Sequence, residues 1–302
     1  MSKIYHIKSI SEAHQFMGLY KPRHPLVSVV DQFEGTIPMD RGGRFTTDLY
    51  SISLKSGSEG TIYYGRNKYD YQEGTLIFIK PDQVVEYEPG NEEQSHARSW
   101  WLTFHPDLIR KSELGQKIDH YTFFDYDVRE ALHLSEQEQR SIYDLVLLIK
   151  KELSQNIDRH SQDLIISTIK LLLDFCTRYF DRQFYTRTNL NKDLVSQFEQ
   201  IVRAYYQAGK AADLGVPSVS YLGQEMGMSP YYLSDLLKKE TGRNTLEHIH
   251  FYIIDKAKNK LLSSQLPVSQ IAYELGFEYP QHFARVFKNK TGMSPTEYRL
   301  LN

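Results

Sequence analysis

The sequence predicts an α+β multidomain chain. A β-barrel or sandwich occupies residues 1–125, a helical segment 126–190, and an all-α domain 191–302 in which a long helix joins two helix-turn-helix units. Three observations carry this reading. Short runs of β-formers between turn residues fill the first part. Helical spacing of apolar residues takes over near residue 128. A stretch of about twenty residues near the C-terminus repeats at a fixed offset.

The strands come first. Leu26-Val27-Ser28-Val29-Val30, Leu49-Tyr50-Ser51-Ile52-Ser53-Leu54, Thr61-Ile62-Tyr63-Tyr64, Thr75-Leu76-Ile77-Phe78-Ile79 and Trp100-Trp101-Leu102-Thr103-Phe104 are rich in residues that pack well on a pleated surface. Gly42-Gly43, Ser56-Gly57-Ser58, Gly74, Pro81-Asp82 and Pro89-Gly90-Asn91 punctuate them. Many short strands with such turns make a sandwich or a barrel.

The helices follow. Ile142, Leu145, Val146, Ile149 and Leu153 fall at i, i+3, i+4 and i+7 spacing. A second stretch, from Leu164 to Phe180, is apolar around much of its circumference. Such a helix is buried within the fold or shared with another subunit. The polar stretch 181–192 reads as a linker. Leu194, Val195, Phe198, Ile201, Val202 and Tyr205 then restart a helical stripe, which Gly209, Gly215 and Pro217 break.

The C-terminal repeat is the most informative feature. Residues 229–248 align with 279–298 at an offset of 50: Pro230/Pro280, Lys238/Lys288, Thr241/Thr291, Gly242/Gly292 and Glu247/Glu297 are identical. Leu233/Phe283, Leu236/Val286 and Leu237/Phe287 keep one apolar stripe. Upstream the offset is 49, with Val219/Val268, Ser220/Ser269, Glu225/Glu274 and Gly227/Gly276 matched, so the second copy has one extra residue in its turn. Each copy reads helix, glycine turn, helix, over about 219–242 and 268–291. Gly223 and Ala272, small residues four before the turn glycines, let the helices cross closely. Ser229-Pro230 offers a cap and a proline at the first helical position. Asn244-Thr245-Leu246-Glu247 and Ser294-Pro295-Thr296-Glu297 are capping boxes. The first opens a helix over about 245–263, roughly 28 Å long. Successive major-groove turns on one DNA face lie about 34 Å apart, so one rigid helix suits two recognition helices in adjacent turns.

Residues 194–299 resemble the DNA-binding domain of AraC/XylS-type transcriptional regulators. The likeness rests on Gly276-Phe277-Glu278, Phe283, Arg285, Phe287-Lys288, Thr291-Gly292-Met293-Ser294-Pro295 and Tyr298-Arg299. The first unit is similar too, with Leu237 where the family often has Phe. The resemblance implies seven helices in this domain, a cupin-like effector domain upstream, a helical dimerisation segment and a homodimer. It also implies an operator in double-stranded DNA, RNA polymerase as a partner, activation of transcription and a bacterial cytoplasmic setting.

On the recognition helices the apolar positions pack inward. Tyr231, Ser234, Asp235 and Lys238 are left on the outer face of the first, and Gln281, His282, Arg285, Lys288 and Asn289 on that of the second. Arg285 suits bidentate contact with guanine, Gln281 suits adenine, and Asp235 suits cytosine N4 or a salt bridge to Lys238 or Lys239. Lys238 and Lys288 suit phosphates, which position without specifying sequence. The family resemblance implies base contacts at Tyr231, Ser234, Asp235, Gln281 and Arg285. Lys256, Lys258 and Lys260 on the connecting helix read as solvated, and His248 and His250 as surface histidines facing different sides.

In the N-terminal part, Gly74–Pro81 resembles the strand-and-turn motif of cupins, but Val84, Val85 and Glu86 stand where metal-using members place histidine. No His-x-His pair occurs in 1–125, and His24, His96, His105 and His120 are scattered. No metal, cofactor or catalytic residue is therefore expected. What remains is a pocket for a small-molecule effector of open identity. Trp101, Thr103 and His105 share one strand face, and the family resemblance brings Lys55, Tyr87 and Trp101 near effector-contacting positions.

Composition narrows the classes further. One cysteine among 302 residues excludes an internal disulfide framework. No apolar run reaches membrane-spanning length, and the first residues lack an apolar signal core, so a soluble protein of a reducing compartment is expected. The net charge of −2 divides into +2 over residues 210–302 and −4 over 1–209. Residues 279–292 carry Arg285, Lys288 and Lys290 with no acid. The charge thus suits a geometric reader of DNA. Two alternatives stand beside the regulator: a cupin-fold metal enzyme with a DNA-binding tail, and a non-specific architectural DNA protein, which needs a strongly basic surface.

Overall fold

The computed structural model of the chain describes residues 4–31, 43–55, 62–64, 67–69, 74–87, 100–127, 130–155, 158, 160–186 and 188–300. They divide into two units, Met1–Tyr185 and Thr186–Asn302.

In the first unit, β1 (Ile4–Ile7), helix α1 (Ile10–Phe16) and β2 (Val27–Asp31) precede β3 (Gly43–Thr47) and β4 (Tyr50–Lys55). A small hairpin, β5 (Ile62–Tyr64) with β6 (Asn67–Tyr69), leads to β7 (Thr75–Ile79), β8 (Val85–Tyr87) and β9 (Trp100–Phe104). Short helices α2 (Pro106–Ile109) and α3 (Glu113–Lys117), strand β10 (Leu132–His133), and long helices α4 (Glu136–Ser154) and α5 (Ser161–Thr186) complete the unit. The strands form a five-stranded sheet in the order β10-β7-β4-β9-β2 and a three-stranded sheet, β1-β3-β8, beside the hairpin. Among the described residues the sheets are open, and no barrel closes.

Side chains alternate across the five-stranded sheet, so its faces differ. Leu54, Leu76, Phe78, Leu102 and Phe104 are buried on one of them. Phe78, Phe123 and Phe180 join there, with Phe78–Phe123 ring centroids 4.5 Å apart and Phe123 stacked on Phe180 at 5.3 Å. These rings anchor α5 to the sheet, which accounts for the apolar girth of that helix. Arg182 of α5 donates to both carboxylate oxygens of Glu138 (3.1 and 2.6 Å) and to the His133 carbonyl, tying α5 to α4 and β10.

Some sequence expectations need correction. The polar stretch 181–192 is helical wherever it is described. It closes α5 and opens α6 (Thr188–Gln207), because it contains neither glycine nor proline and polarity alone does not break a helix. Gly43 lies in β3 rather than in a turn. His105 leaves the β9 face to cap α2, its Nδ1 accepting the Asp107 amide at 3.1 Å. The two-residue β10 and the parallel pairing of β1 with β3 carry no local signature.

The second unit is all helical. After α6 come α7 (Lys210–Leu214), α8 (Val219–Met226), α9 (Pro230–Thr241), α10 (Thr245–Ser263), α11 (Val268–Glu274), α12 (Pro280–Thr291) and α13 (Pro295–Arg299). Among the described residues this unit has eight helices, where the resemblance implied seven. Phe198, Val202 and Tyr205 of α6 are buried, with α6 packed on α8 and α9. Ile249, Ile253, Ala257 and Leu261 run down the buried side of α10.

Candidate nucleic-acid interface

The two helix-turn-helix units are α8 with α9 and α11 with α12. Both second helices span twelve residues and start on proline. Ser229 caps α9, its Oγ accepting the Tyr232 amide at 3.2 Å. The equivalent cap of α12 is Tyr279, which makes no side-chain cap bond. Both capping boxes form. Asn244 and Glu247 exchange bonds of 2.9 and 3.0 Å at the start of α10, and Ser294 and Glu297 do so at α13.

Close crossings set the geometry of each unit. A Cβ on Gly223 would stand 2.7 Å from the Met228 carbonyl oxygen, which keeps α8 tight on the turn into α9. Gly276 has φ +90°, and a Cβ there would meet Gly215 C at 2.6 Å and Val216 N at 2.7 Å. Across that contact the Val216 amide donates to the Gly276 carbonyl at 3.1 Å. Tyr205 donates to the Gly215 carbonyl at 2.9 Å and Tyr206 to the Leu275 carbonyl at 3.4 Å. The turn of the second unit is therefore stapled to the loop that leads into the first. This second tie supplements α10.

Buried stripes point the other faces outward. Tyr232, Leu233, Leu236 and Leu237 are buried on α9, and Phe283 and Phe287 on α12. Tyr231 is half exposed, and Lys238, Gln281, His282, Arg285, Lys288 and Asn289 are exposed. Asp235 is half-buried. Ser234 is more constrained: its hydroxyl donates at 3.1 Å to Thr245, a fully buried residue of α10. His282 packs edge-on against Phe277 at 5.6 Å. Tyr279, 59% exposed beside Gln281 and His282, is a surface residue the sequence reading missed. Its signal was an aromatic at the position matching the Ser229 cap.

The lysines of α10 have structural neighbours. Lys256 lies over the Tyr252 ring at 5.7 Å, Lys258 over Tyr298 at 5.8 Å, and Lys260 pairs with Glu274 at 2.5 Å. His248 meets Thr241 Oγ1 at 2.7 Å. Burial, reinforced by the Arg243 cation, holds its pKa below the usual histidine value. Burial likewise lowers that of His250, helped by Lys290 and His282. Both are half-buried rather than free surface groups.

In the first unit, Trp101 and Thr103 share one sheet face. Trp101 Nε1 donates to Ser51 Oγ, and Ser51 Oγ lies 3.4 Å from Thr103 Oγ1. On that side His14 is buried, bonding to Ser28 Oγ at 2.7 Å and the Tyr20 carbonyl at 2.6 Å. The buried hydroxyls of Ser28 and Ser51 beside Thr103 went unnoticed, although the alternating serines of β4 signalled one of them. Lys55 ends β4, and Tyr87 ends β8 in the other sheet, but their side chains lie outside the described portion. Among the described residues no group of three or more His, Cys, Asp or Glu is placed to hold a metal ion, and no helix is long and apolar enough to cross a membrane.

Comparisons with known proteins match both units. Residues 222–300 match the helix-turn-helix domain family, and residues 38–173 the AraC-like ligand binding domain family. The arabinose operon regulatory protein of Salmonella typhimurium is 24% identical over 83% of this chain and 83% of its own length. The multiple antibiotic resistance protein MarA of Escherichia coli is 32% identical over 28% of this chain and 67% of its own. The C-terminal domain of the response regulator yesN from Fusobacterium nucleatum, a solved structure, is 26% identical over 35% of this chain and 98% of its own, with a TM-score of 0.32. The doubled helix-turn-helix and the ligand-binding match upstream of it place the chain in the AraC/XylS family of DNA-binding transcriptional regulators, with an effector-binding domain.

Proposed function

We propose that this regulator reads two adjacent major-groove segments of its operator, α9 in one and α12 in the next. The observation that carries this is the pair of equivalent helices with outward polar faces, tied by α10 and by the Gly215–Gly276 contact. Arg285, Gln281, Tyr231 and Asp235 take the base-reading roles, and Lys238, Lys288 and Asn289 hold phosphates. His282 flanks the second segment. Ser234 is better suited to a positioning role, because its hydroxyl is bound to Thr245.

Upstream, the reading is a cupin-like domain over residues 1–125 whose effector meets the face of Trp101 and Thr103, with Lys55 and Tyr87 as further contacts. The relative from Salmonella typhimurium is by name a regulator of an arabinose operon, but the identity of the effector here stays open. Dimerisation through 126–190 is supported by Leu148, Leu164 and Leu171, large apolar side chains exposed on α4 and α5. The same reading includes RNA polymerase as a partner, activation as the outcome, the bacterial cytoplasm as the setting, and no enzymatic activity.

Selection from randomised DNA tests the central claim. Two enriched tracts, centred about one helical turn or 10.5 base pairs apart, are expected. A single tract, or random DNA bound as tightly as the enriched sequence at the same salt, refutes it.

A further inference from the structure

A groove of about 250 Å³ opens along the exposed side of α10, beside the end of α12. Three cations from separate segments converge on it. Arg243 follows α9, Lys258 lies within α10, and Lys290 is the penultimate residue of α12. The aromatic wall is Phe251, 58% exposed, with the Arg243 guanidinium 4.4 Å from its ring centroid.

The charge of the groove selects its occupant. Glu247 and Asp255 also line it. One oxygen of Glu247 is held by the Asn244 amide in the capping box, and Asp255 is exposed. Three cations against two carboxylates leave one net positive charge. A phosphate or a dicarboxylate would overcompensate it, whereas a monoanion balances it. The stacked guanidinium and ring favour a flat apolar body on that anion.

We propose that this groove binds a small aromatic monocarboxylate, its ring against Phe251 and its carboxylate between Arg243 and Lys290. Lys290 follows Phe283 by seven residues, so it shares the side of α12 that faces α10, away from Arg285. Ligand and operator can therefore be held together. The ligand would bridge α10 and the end of α12, bracing the second recognition helix.

The probe is sodium benzoate, with benzyl alcohol as its uncharged counterpart, titrated by calorimetry into the full chain. Benzoate is expected to saturate one site with a dissociation constant of about 1 mM or tighter, and benzyl alcohol to bind at least about tenfold more weakly. Arg243→Gln and Lys290→Gln should each weaken benzoate about fivefold or more, and Arg243→Gln should leave operator affinity within about twofold. Melting curves check that both exposed substitutions leave the fold intact. Equal binding of the two probes, or no saturation by about 20 mM benzoate, overturns the proposal. So does benzoate binding unchanged in both variants, which would move the site elsewhere in the chain. Operator binding is measured separately, so failure here leaves the reading of DNA untouched.

Discussion

Gly276→Ala is the sharpest single perturbation available. Three backbone atoms, Gly215 C, Val216 N and Gly215 O, would stand 2.6, 2.7 and 2.9 Å from the new Cβ. Ordinary contact needs about 3.5 Å, so the backbone must part by most of an ångström. Overpacking of this kind costs about 1–3 kcal/mol. Holding an L-residue at positive φ costs about 1 kcal/mol more, and weakening the Val216–Gly276 hydrogen bond adds about 0.5–1.5 kcal/mol. The total is about 3–5 kcal/mol. For a unit of this size that lowers its melting temperature by about 10 °C or more. The assay is differential scanning calorimetry of the full chain, assigning the shifted transition by limited proteolysis. Gly292→Ala is the control, since φ there is +81° but nothing lies within 4 Å of the added carbon. It should cost only about 1 kcal/mol. Equal shifts for the two variants would refute the steric argument, and no shift for either would refute the whole account.

Other outcomes follow from the same geometry. Arg285→Ala should weaken specific operator binding by about 1–3 kcal/mol and relax preference at one base pair, measured by competition against single-site operator variants. Wild-type affinity in that variant would falsify its base-reading role. Asn244→Ala removes the capping box at the start of α10 and should cost about 1 kcal/mol in urea unfolding. His248 and His250 bind protons less readily folded than unfolded. Their contribution to stability is thus complete above the ordinary histidine value of 6.5 and falls as acid takes the pH below it. A His248→Gln, His250→Gln double variant should lose that part of the slope, and an unchanged slope would remove these residues from the account. Sedimentation of the full chain as a monomer at micromolar concentration would sink the dimer.

The helical reader was legible because its signals are local. Ser229-Pro230 starts α9, Asn244 and Glu247 start α10, and the α10 boundaries agree with the sequence reading residue for residue. The strands β7 and β9 were equally plain, being short apolar runs between turns. What escaped depends on partners distant in sequence. Nothing near Ser234 shows that Thr245 holds its hydroxyl, and nothing near Gly276 shows Gly215 pressed against it. The buried pair His14 and Ser28 arises only when α1 meets β2. The stretch 181–192, read as a linker, does span the boundary between the two units, but it is helical where described, which polarity alone could not reveal.

The contact between Gly215 and Gly276 bears on the operator as well as on the protein. On the proposed two-tract reading, halves joined at two places behave as a gauge of fixed length. Inserting one base pair between its tracts displaces the second by about 3.4 Å and rotates it by about 35° around the DNA axis. A hinge would absorb that change, but a doubly tied frame must either bend the DNA or release one tract. Operators for this regulator should therefore vary in sequence at their edges and remain constant in spacing.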